Sequence, residues 1–325
     1  MFRPRQFSFD TYNGTSGTIC FMAAPLSVCL VHIDPRDHCM LSFRWLICPF
    51  LFRSISLLCS LVFCILAADW VAAQSAGDAS LVGVAPRRQA HAHNDYLHER
   101  PLLDALDHGF CSVEADIFLV NGELLVAHTR LELSPKRTLQ SLYLDVLQER
   151  IAKNKGFVQP RVDSFTLLID IKTEGAETYR ELHRVLALYA DMLTRVENGT
   201  VKKGAVTAIV SGNRAVDLIQ SEQIRFVGID GRLSDLDSDK ENHLLPLISD
   251  NWTSHFAWRG KGEIDPKELS KLRSIVAKAH AKNRLVRFWA SPDNESVWRL
   301  LRDEKIDLIN TDNLSGLSTF LGSNQ

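Results

Sequence analysis

The feature that most constrains the fold of this chain is a regular alternation of short apolar segments and longer amphipathic segments. Eight apolar segments with the length and composition of strands are centred near residues 90, 115, 168, 208, 228, 247, 287 and 308. Most are followed by apolar residues three and four apart, which is typical of a helix packed on a sheet. The pattern predicts an α/β protein, a (β/α)8 TIM barrel. A doubly wound open sheet is the alternative, but no Gly-rich phosphate loop follows any strand.

The N-terminal part of the chain lacks this alternation and resembles a targeting segment. Arg44 and Arg53 precede a short uncharged apolar run, and the small residues 71–73 follow it. A basic flank, an apolar core and a small-residue exit describe a secretory signal peptide, which predicts a secreted or periplasmic protein. The alternative is an uncleaved membrane anchor formed by residues 45–68.

The chain is therefore expected to contain an unstructured extension or over-long start (1–39), a signal peptide or anchor (40–75), a linker (76–87) and the barrel (88–325). Six of the seven cysteines lie before residue 65, so the barrel holds only Cys111. One thiol forms neither an internal disulfide nor a cysteine metal site. A net charge of -2 gives no reason to expect nucleic-acid binding.

Carboxylates lie near the carboxyl ends of two successive strands of the predicted barrel. Residues two apart on a strand point to the same side, so Glu114 and Asp116 face the barrel mouth together, as do Asp170 and Lys172. Three carboxylates at one mouth repel one another unless a cation lies between them. Ligands that are all oxygen favour Mg²⁺ or Ca²⁺ over zinc. Lys172 is then placed to neutralise an anionic group of a substrate.

Two histidines also lie at predicted strand ends, where active residues of such barrels collect. His93 ends the first strand and His128 ends the return strand of a hairpin whose turn is Asn121-Gly122. They are candidates for a general base and a general acid. Aromatic residues are candidates for contact with a substrate or a membrane surface, or for packing that caps the barrel; they are Trp252, Phe256, Trp258 and Trp289.

Eight motifs together resemble the superfamily of phosphatidylinositol-specific phospholipase C and glycerophosphodiester phosphodiesterase, and within it the altered inheritance of mitochondria protein 6-like branch. The motifs are HAHNDY, RPLLDAL, SVEADIFLVNGELLVAH, RTLQSLYLDVL, LLIDIKTEG, DGRL, RFWASPDNESVW and INTDNL. They cover the chain from about residue 89 to residue 317 in order. The resemblance implies a (β/α)8 barrel and cleavage of a small-molecule or lipid phosphodiester with a divalent cation.

The resemblance also implies roles for individual residues. It makes His93 and His128 the catalytic histidines and Lys172 a phosphate ligand. It makes the cation ligands Glu114, Asp116, Asp170 and Asn94. Two positions depart from the glycerophosphodiesterase pattern. His93-Asn94-Asp95 replaces His-Arg-Gly, and Asp170 replaces Glu, so the substrate stays open.

Two other functions fit the sequence. In an amidohydrolase-type or polymerase-and-histidinol-phosphatase-type barrel, His91 and His93 would bind a transition metal, with Asp312 as a later ligand. Such a site also needs histidines at later strand ends, and the sequence has none there. The second alternative is a secreted barrel that binds phosphorylated ligands without turnover.

Overall fold

A computed structural model describes residues 84–323 of the chain. The predicted extension, the signal peptide or anchor and most of the linker lie outside the described residues. Within residues 84–323, no helix is both long enough and apolar enough to span a bilayer. The first strand begins at Arg87, one residue earlier than the predicted start of the barrel.

Eight parallel strands form a barrel in the described part of the chain. They are β1 (Arg87–Ala92), β2 (Phe110–Val120), β4 (Phe165–Ile171), β7 (Val206–Gly212), β9 (Val227–Gly231), β10 (Leu247–Asn251), β11 (Leu285–Trp289) and β12 (Ile309–Thr311). The pairing order is β1-β2-β4-β7-β9-β10-β11, and β12 pairs with β1. A single parallel bridge from Arg287 to Leu308 completes the circle. The eight strand positions and the TIM-barrel prediction are therefore confirmed.

Helices cover the outside of this barrel. They are α1 (Leu103–Asp107), α2 (Asp145–Lys153), α3 (Gly175–Ala187), α4 (Val216–Ser221), α5 (Trp252–His255), α6 (Pro266–Ala281), α7 (Glu295–Asp303) and α8 (Leu314–Gly322). A π-helical turn, Gln140–Leu144, leads into α2, and short 3₁₀ turns span Asp95–Leu97, Arg130–Glu132 and Leu233–Asp235. The apolar pattern predicts that α3 continues to residue 193, but the helix ends at Ala187 because the chain there turns into a small antiparallel sheet.

Three further strands make that small sheet, and one strand makes the hairpin. The sheet consists of β5 (Arg195–Glu197), β6 (Thr200–Lys202) and β8 (Ile224–Arg225), and the hairpin strand β3 (Glu123–Val126) returns along β2. Asn121 and Gly122 both have positive φ, at 51° and 82°, which is the backbone of the tight turn that the sequence predicts.

The barrel interior changes from apolar to polar toward the carboxyl ends of the strands. An apolar cluster inside the barrel contains Leu168, Ile209, Leu247 and Leu308. Because inward residues recur every second position, the next inward residues on the same strands are Asp170, Ser211, Ser249 and Asn310. The outward residues between them, such as Ile169 and Val210, belong to the larger core shared with the helices. Alternation along each strand therefore closes the barrel with apolar side chains and lines its mouth with polar ones.

Candidate active site

Three carboxylates converge at the mouth, as the sequence predicts. Asp116 and Asp170 are directly paired across β2 and β4, and Glu114 lies two residues before Asp116 on the same face. One carboxylate oxygen from each of the three residues lies within 4.8 Å of the others. Like charges placed directly opposite on neighbouring strands destabilise a sheet. The pairing therefore persists only if positive charge lies between the carboxylates.

Lys172 supplies part of that charge. Its Nζ lies 3.0 Å from Asp116 Oδ2 and 3.1 Å from Asp170 Oδ2. The other oxygen of each aspartate, Oδ1, is buried and has no hydrogen-bond partner. Buried carboxylate oxygens without a partner are costly, and an oxygen-only set of three acids has the chemistry that a hard divalent cation prefers. The acid cluster thus fits a divalent cation.

The electrostatics of the three acids differ. Burial and the charge of Glu114 raise the pKa of Asp116 to about 6. Burial also raises the pKa of Asp170, although the charge of Lys172 opposes this. For Glu114, burial would raise the pKa, but the charge of Arg287 and the contact with His91 together outweigh burial and hold the pKa well below its usual range. Full ionisation of both aspartates is therefore favoured by added positive charge, as a bound cation would provide.

His93 and His128 lie in the same cavity as the acids. His93 Nδ1 is 2.9 Å from Asp312 Oδ1, a contact that fixes the ring and leaves Nε2 for proton transfer. Burial would lower the pKa of His93, but the hydrogen bond with Asp312 and the charge of Glu114 raise it above the usual value. His128 is half exposed, and its Nδ1 lies 3.0 Å from the hydroxyl of Tyr96.

Tyr96 is a site residue that the sequence pattern does not single out. Its hydroxyl lies 2.6 Å from Asp116 Oδ2 and 2.7 Å from Asn94 Oδ1, in addition to His128 Nδ1. Its ring stacks on that of His128. The side chain sits in a 3₁₀ turn after β1, beyond the last residue that strand alternation can place. One hydroxyl therefore links two predicted cation ligands to a predicted catalytic histidine.

The cavity that holds these groups has a volume of about 280 Å³. The predicted site residues that line it are His93, Asn94, Glu114, Asp116, His128, Asp170, Lys172 and Trp289. The lining residues that sequence reasoning did not select as site residues are Ser211, Gly212, Arg232 and Arg287.

The predicted aromatic residues lie in different environments. Trp289 lines the cavity and is 36% exposed. Trp258 lies outside the cavity lining, and its indole N–H donates to the carbonyl of Gly262. Trp252 and Phe256 are buried, stack on each other and meet Phe288 edge to face. For Trp252 and Phe256 the structure therefore supports packing rather than contact with a substrate.

His91 and His93 do not form a joint metal site. His91 lies one interior layer below His93, is fully buried, and its Nδ1 lies 2.7 Å from Ser112 Oγ. Burial and the charge of Arg287 lower its pKa to about 4. Among residues 84–323, the possible ligand cluster consists of carboxylates alone. This composition does not support the zinc-binding alternative.

Comparisons with known proteins show which sequences this chain is similar to. The family described as "AIM6-like phosphodiesterase domain" matches residues 80–230. "Altered inheritance of mitochondria protein 6" of Eremothecium gossypii is 30% identical over 280 residues, which cover 71% of this chain and 69% of that protein. The "Altered inheritance of mitochondria protein 6 homolog" of Arthroderma benhamiae is 28% identical over 255 residues, with 69% and 81% covered.

A solved structure is also similar to this chain. It is a glycerophosphodiester phosphodiesterase from Parabacteroides distasonis, with 15% identity and a TM-score of 0.46. The match covers 74% of this chain and 98% of that one.

Proposed function

This chain belongs to the family of altered inheritance of mitochondria protein 6, and we propose that it hydrolyses phosphodiesters with the help of a divalent cation. The observation that carries the proposal is the arrangement inside one cavity. Three acids, two of which have a buried oxygen without a partner, lie beside two histidines and a lysine. That combination can hold a cation and a phosphate and can move protons on both sides of the phosphorus.

The acids and Lys172 have separate roles at the phosphate. Glu114, Asp116 and Asp170, with Asn94 beside them, would hold a Mg²⁺ or Ca²⁺ ion, which would neutralise charge on the non-bridging phosphate oxygens. Lys172 lies against two of these acids and adds positive charge where the phosphate binds.

The two histidines carry the proton transfers. His93, held through Nδ1 by Asp312, accepts at Nε2 the proton of the attacking hydroxyl, which a neighbouring position of the substrate provides. Attack breaks the bond to the leaving alcohol and forms a cyclic phosphate. His128, held by Tyr96, donates a proton to the leaving oxygen. Water then opens the cyclic phosphate with the two histidines in exchanged roles, which completes the hydrolysis and restores both protonation states.

Removal of divalent cations tests this proposal. We expect the chelated protein to lose turnover of the p-nitrophenyl ester of glycerophosphate and to regain it with Mg²⁺ or Ca²⁺. A cation that neutralises phosphate charge contributes several kcal/mol, so the loss should exceed about a hundredfold. Recovery with Zn²⁺ alone would contradict the hard-cation site. Cation-dependent binding of the ester without turnover would instead support a barrel that only binds phosphorylated ligands.

We further propose that the mouth of the barrel rests on a lipid surface that presents the substrate. Leu97, next to Tyr96, is 59% exposed, and Leu131, three residues after His128, is 97% exposed. Exposed Arg130 directly precedes Leu131, and exposed Lys136 follows five residues later. The intervening Glu132 accepts hydrogen bonds from the backbone N–H groups of His128 and Thr129. Exposed apolar side chains beside basic ones suit an anionic bilayer, because each group finds its complement at the lipid–water interface.

Leu131→Glu is expected to weaken binding to vesicles of phosphatidylcholine and phosphatidylserine by about tenfold or more, because burial of a leucine side chain contributes roughly 1.5–3 kcal/mol. Co-sedimentation with vesicles measures the effect. Leu188→Glu is the matched control. Leu188 is 69% exposed and follows the last residue of α3, at the opposite end of the barrel. Equal loss in both variants, or none in either, would contradict the proposal.

A further inference from the structure

Arg287 is a buried arginine inside the barrel, and although it begins the motif RFWASPDNESVW, the resemblance assigns it no role. It is 3% exposed and occupies an inward position on β11, two residues before Trp289. Its Nη2 donates to Glu114 Oε2 at 2.7 Å, and its Nε donates to Asn310 Oδ1 at 2.7 Å. Two anchors on different strands hold the guanidinium in one orientation.

The third nitrogen of this guanidinium is free for a ligand. No described residue accepts a hydrogen bond from Nη1. Nη1 is also not one of the buried side-chain nitrogen and oxygen atoms that lack a hydrogen-bond partner, so it is accessible from the cavity. Arg287 also lines the cavity with the three acids and the two histidines. A buried arginine rarely leaves a donor unmatched. Nη1 is therefore the donor of Arg287 that is left for an anion in the cavity.

The charges of the site give this residue a second role. Glu114, Asp116 and Asp170 bring three negative charges, and Lys172 and Arg287 contact them with two positive ones. Arg232, the other arginine of the cavity, is paired with buried Asp230, and His93 is paired with Asp312. One negative charge is left over. One divalent cation and one singly charged phosphodiester then bring the cluster to neutrality, whereas a doubly charged phosphomonoester would leave it negative.

We infer that Arg287 is a catalytic residue that donates from Nη1 to a non-bridging phosphate oxygen and whose charge adjusts the acid cluster to one divalent cation and one phosphodiester. The inference rests on the proposed function. It predicts opposite changes in two quantities when the charge is removed. Without Arg287, the acids hold a cation more tightly because they are more negative, while the phosphate loses a donor and turnover falls.

The test measures both quantities in Arg287→Gln. Titration calorimetry of the chelated protein with Ca²⁺ gives the cation affinity, and the p-nitrophenyl ester of glycerophosphate gives turnover. We expect Ca²⁺ affinity to rise roughly tenfold and turnover at saturating Ca²⁺ to fall roughly 10²–10³-fold. A fall in both would overturn the inference, because it would mean that Arg287 only holds Glu114 in place. Unchanged turnover would overturn it as well.

Two further variants keep the test decisive if Arg287→Gln does not fold. Arg287→Lys keeps the charge and loses the fixed fork, and Asn310→Ala keeps the arginine and removes its Nε anchor. Both are expected to bind Ca²⁺ as the wild type does and to lose turnover. Ca²⁺ affinity that falls with turnover in both would overturn the inference.

Arg225→Gln is the matched control. Arg225 is also a buried arginine, at 5% exposure, but it donates to the carbonyl of Val227 outside the cavity. Neither quantity should change in this variant. A wild type that is inactive with every cation would refute the proposed function itself. An active wild type with an unaffected Arg287→Gln would refute only the role of Arg287.

Discussion

Replacing Gly212 by alanine is expected to abolish divalent-cation binding while the barrel stays folded. Gly212 ends β7 with φ +67°, in the left-handed region that side chains other than glycine rarely adopt. A Cβ on this residue would lie 1.9 Å from Asp170 Oδ1 and 2.5 Å from the carbonyl oxygen of Ile171. The aspartate side chain must therefore move, and the contact with the carbonyl oxygen also requires a local shift of the backbone at the end of β7.

The size of the effect follows from which atom is displaced. Asp170 Oδ1 is one of the two buried oxygens of the acid cluster that have no hydrogen-bond partner, and we assign both to the cation. Without its cation, the site loses several kcal/mol of transition-state stabilisation. We therefore expect turnover of the p-nitrophenyl ester of glycerophosphate to fall roughly 10²–10³-fold. Calorimetric titration with Ca²⁺ should show no binding, and the circular dichroism spectrum should match the wild type.

Gly122→Ala provides a matched control for backbone strain. Gly122 has φ +82° in the hairpin turn, and a Cβ built there meets no atom within 4 Å. This variant carries the same conformational cost without a steric clash, so it should lose some thermal stability and bind Ca²⁺ normally. Wild-type Ca²⁺ affinity in Gly212→Ala would mean that Asp170 is not a cation ligand.

Strand alternation accounts for what the sequence predicts about the site. The two-residue period places Glu114 and Asp116 on one face, and the same period places Asp170 above Leu168 on β4. The carboxyl ends of parallel strands then bring these acids together, because β2 and β4 are neighbours. The eight strands, the hairpin turn and the acid cluster follow from periodicity and turn chemistry. The strands, the turn and the Glu114–Asp116 pair need no contacts between distant parts of the chain to be known, and adding Asp170 requires only that consecutive barrel strands are neighbours.

Residues whose roles depend on such contacts are not predictable in this way. Alternation marks Arg287 as inward, but its partner Glu114 is 173 positions away, and the strand order that brings them together is a property of the closed barrel. The role of Tyr96 is not predictable from the sequence for another reason. Its direction is set by Asn94, whose φ of 49° turns the chain after β1 into a 3₁₀ turn. The aromatic residues Trp252 and Phe256 also depend on tertiary packing, since their partner Phe288 comes from β11.

Alanine variants of His93 and His128 are expected to respond differently to the leaving group, and this difference assigns their roles. Loss of a general base or acid costs roughly 10²–10⁴-fold in turnover. A weakly basic p-nitrophenolate departs without a proton, whereas an alkoxide does not. His93→Ala should therefore lose turnover on both the p-nitrophenyl and the ethyl ester of glycerophosphate. His128→Ala should lose it on the ethyl ester and retain most of it on the p-nitrophenyl ester.

The contacts of the two rings indicate which histidine is the general base and which is the general acid. His93 is held by the carboxylate of Asp312, and a carboxylate behind an imidazole stabilises the protonated ring that a base becomes. His128 has the neutral hydroxyl of Tyr96 at Nδ1 and lies half exposed at the mouth, where a leaving alcohol can exit. His255→Ala is the control, because His255 pairs with Asp250 outside the cavity lining and should leave both rates unchanged. The reverse pattern would exchange the roles of the two histidines, and near-native turnover of both esters in both variants would eliminate acid–base catalysis by this pair.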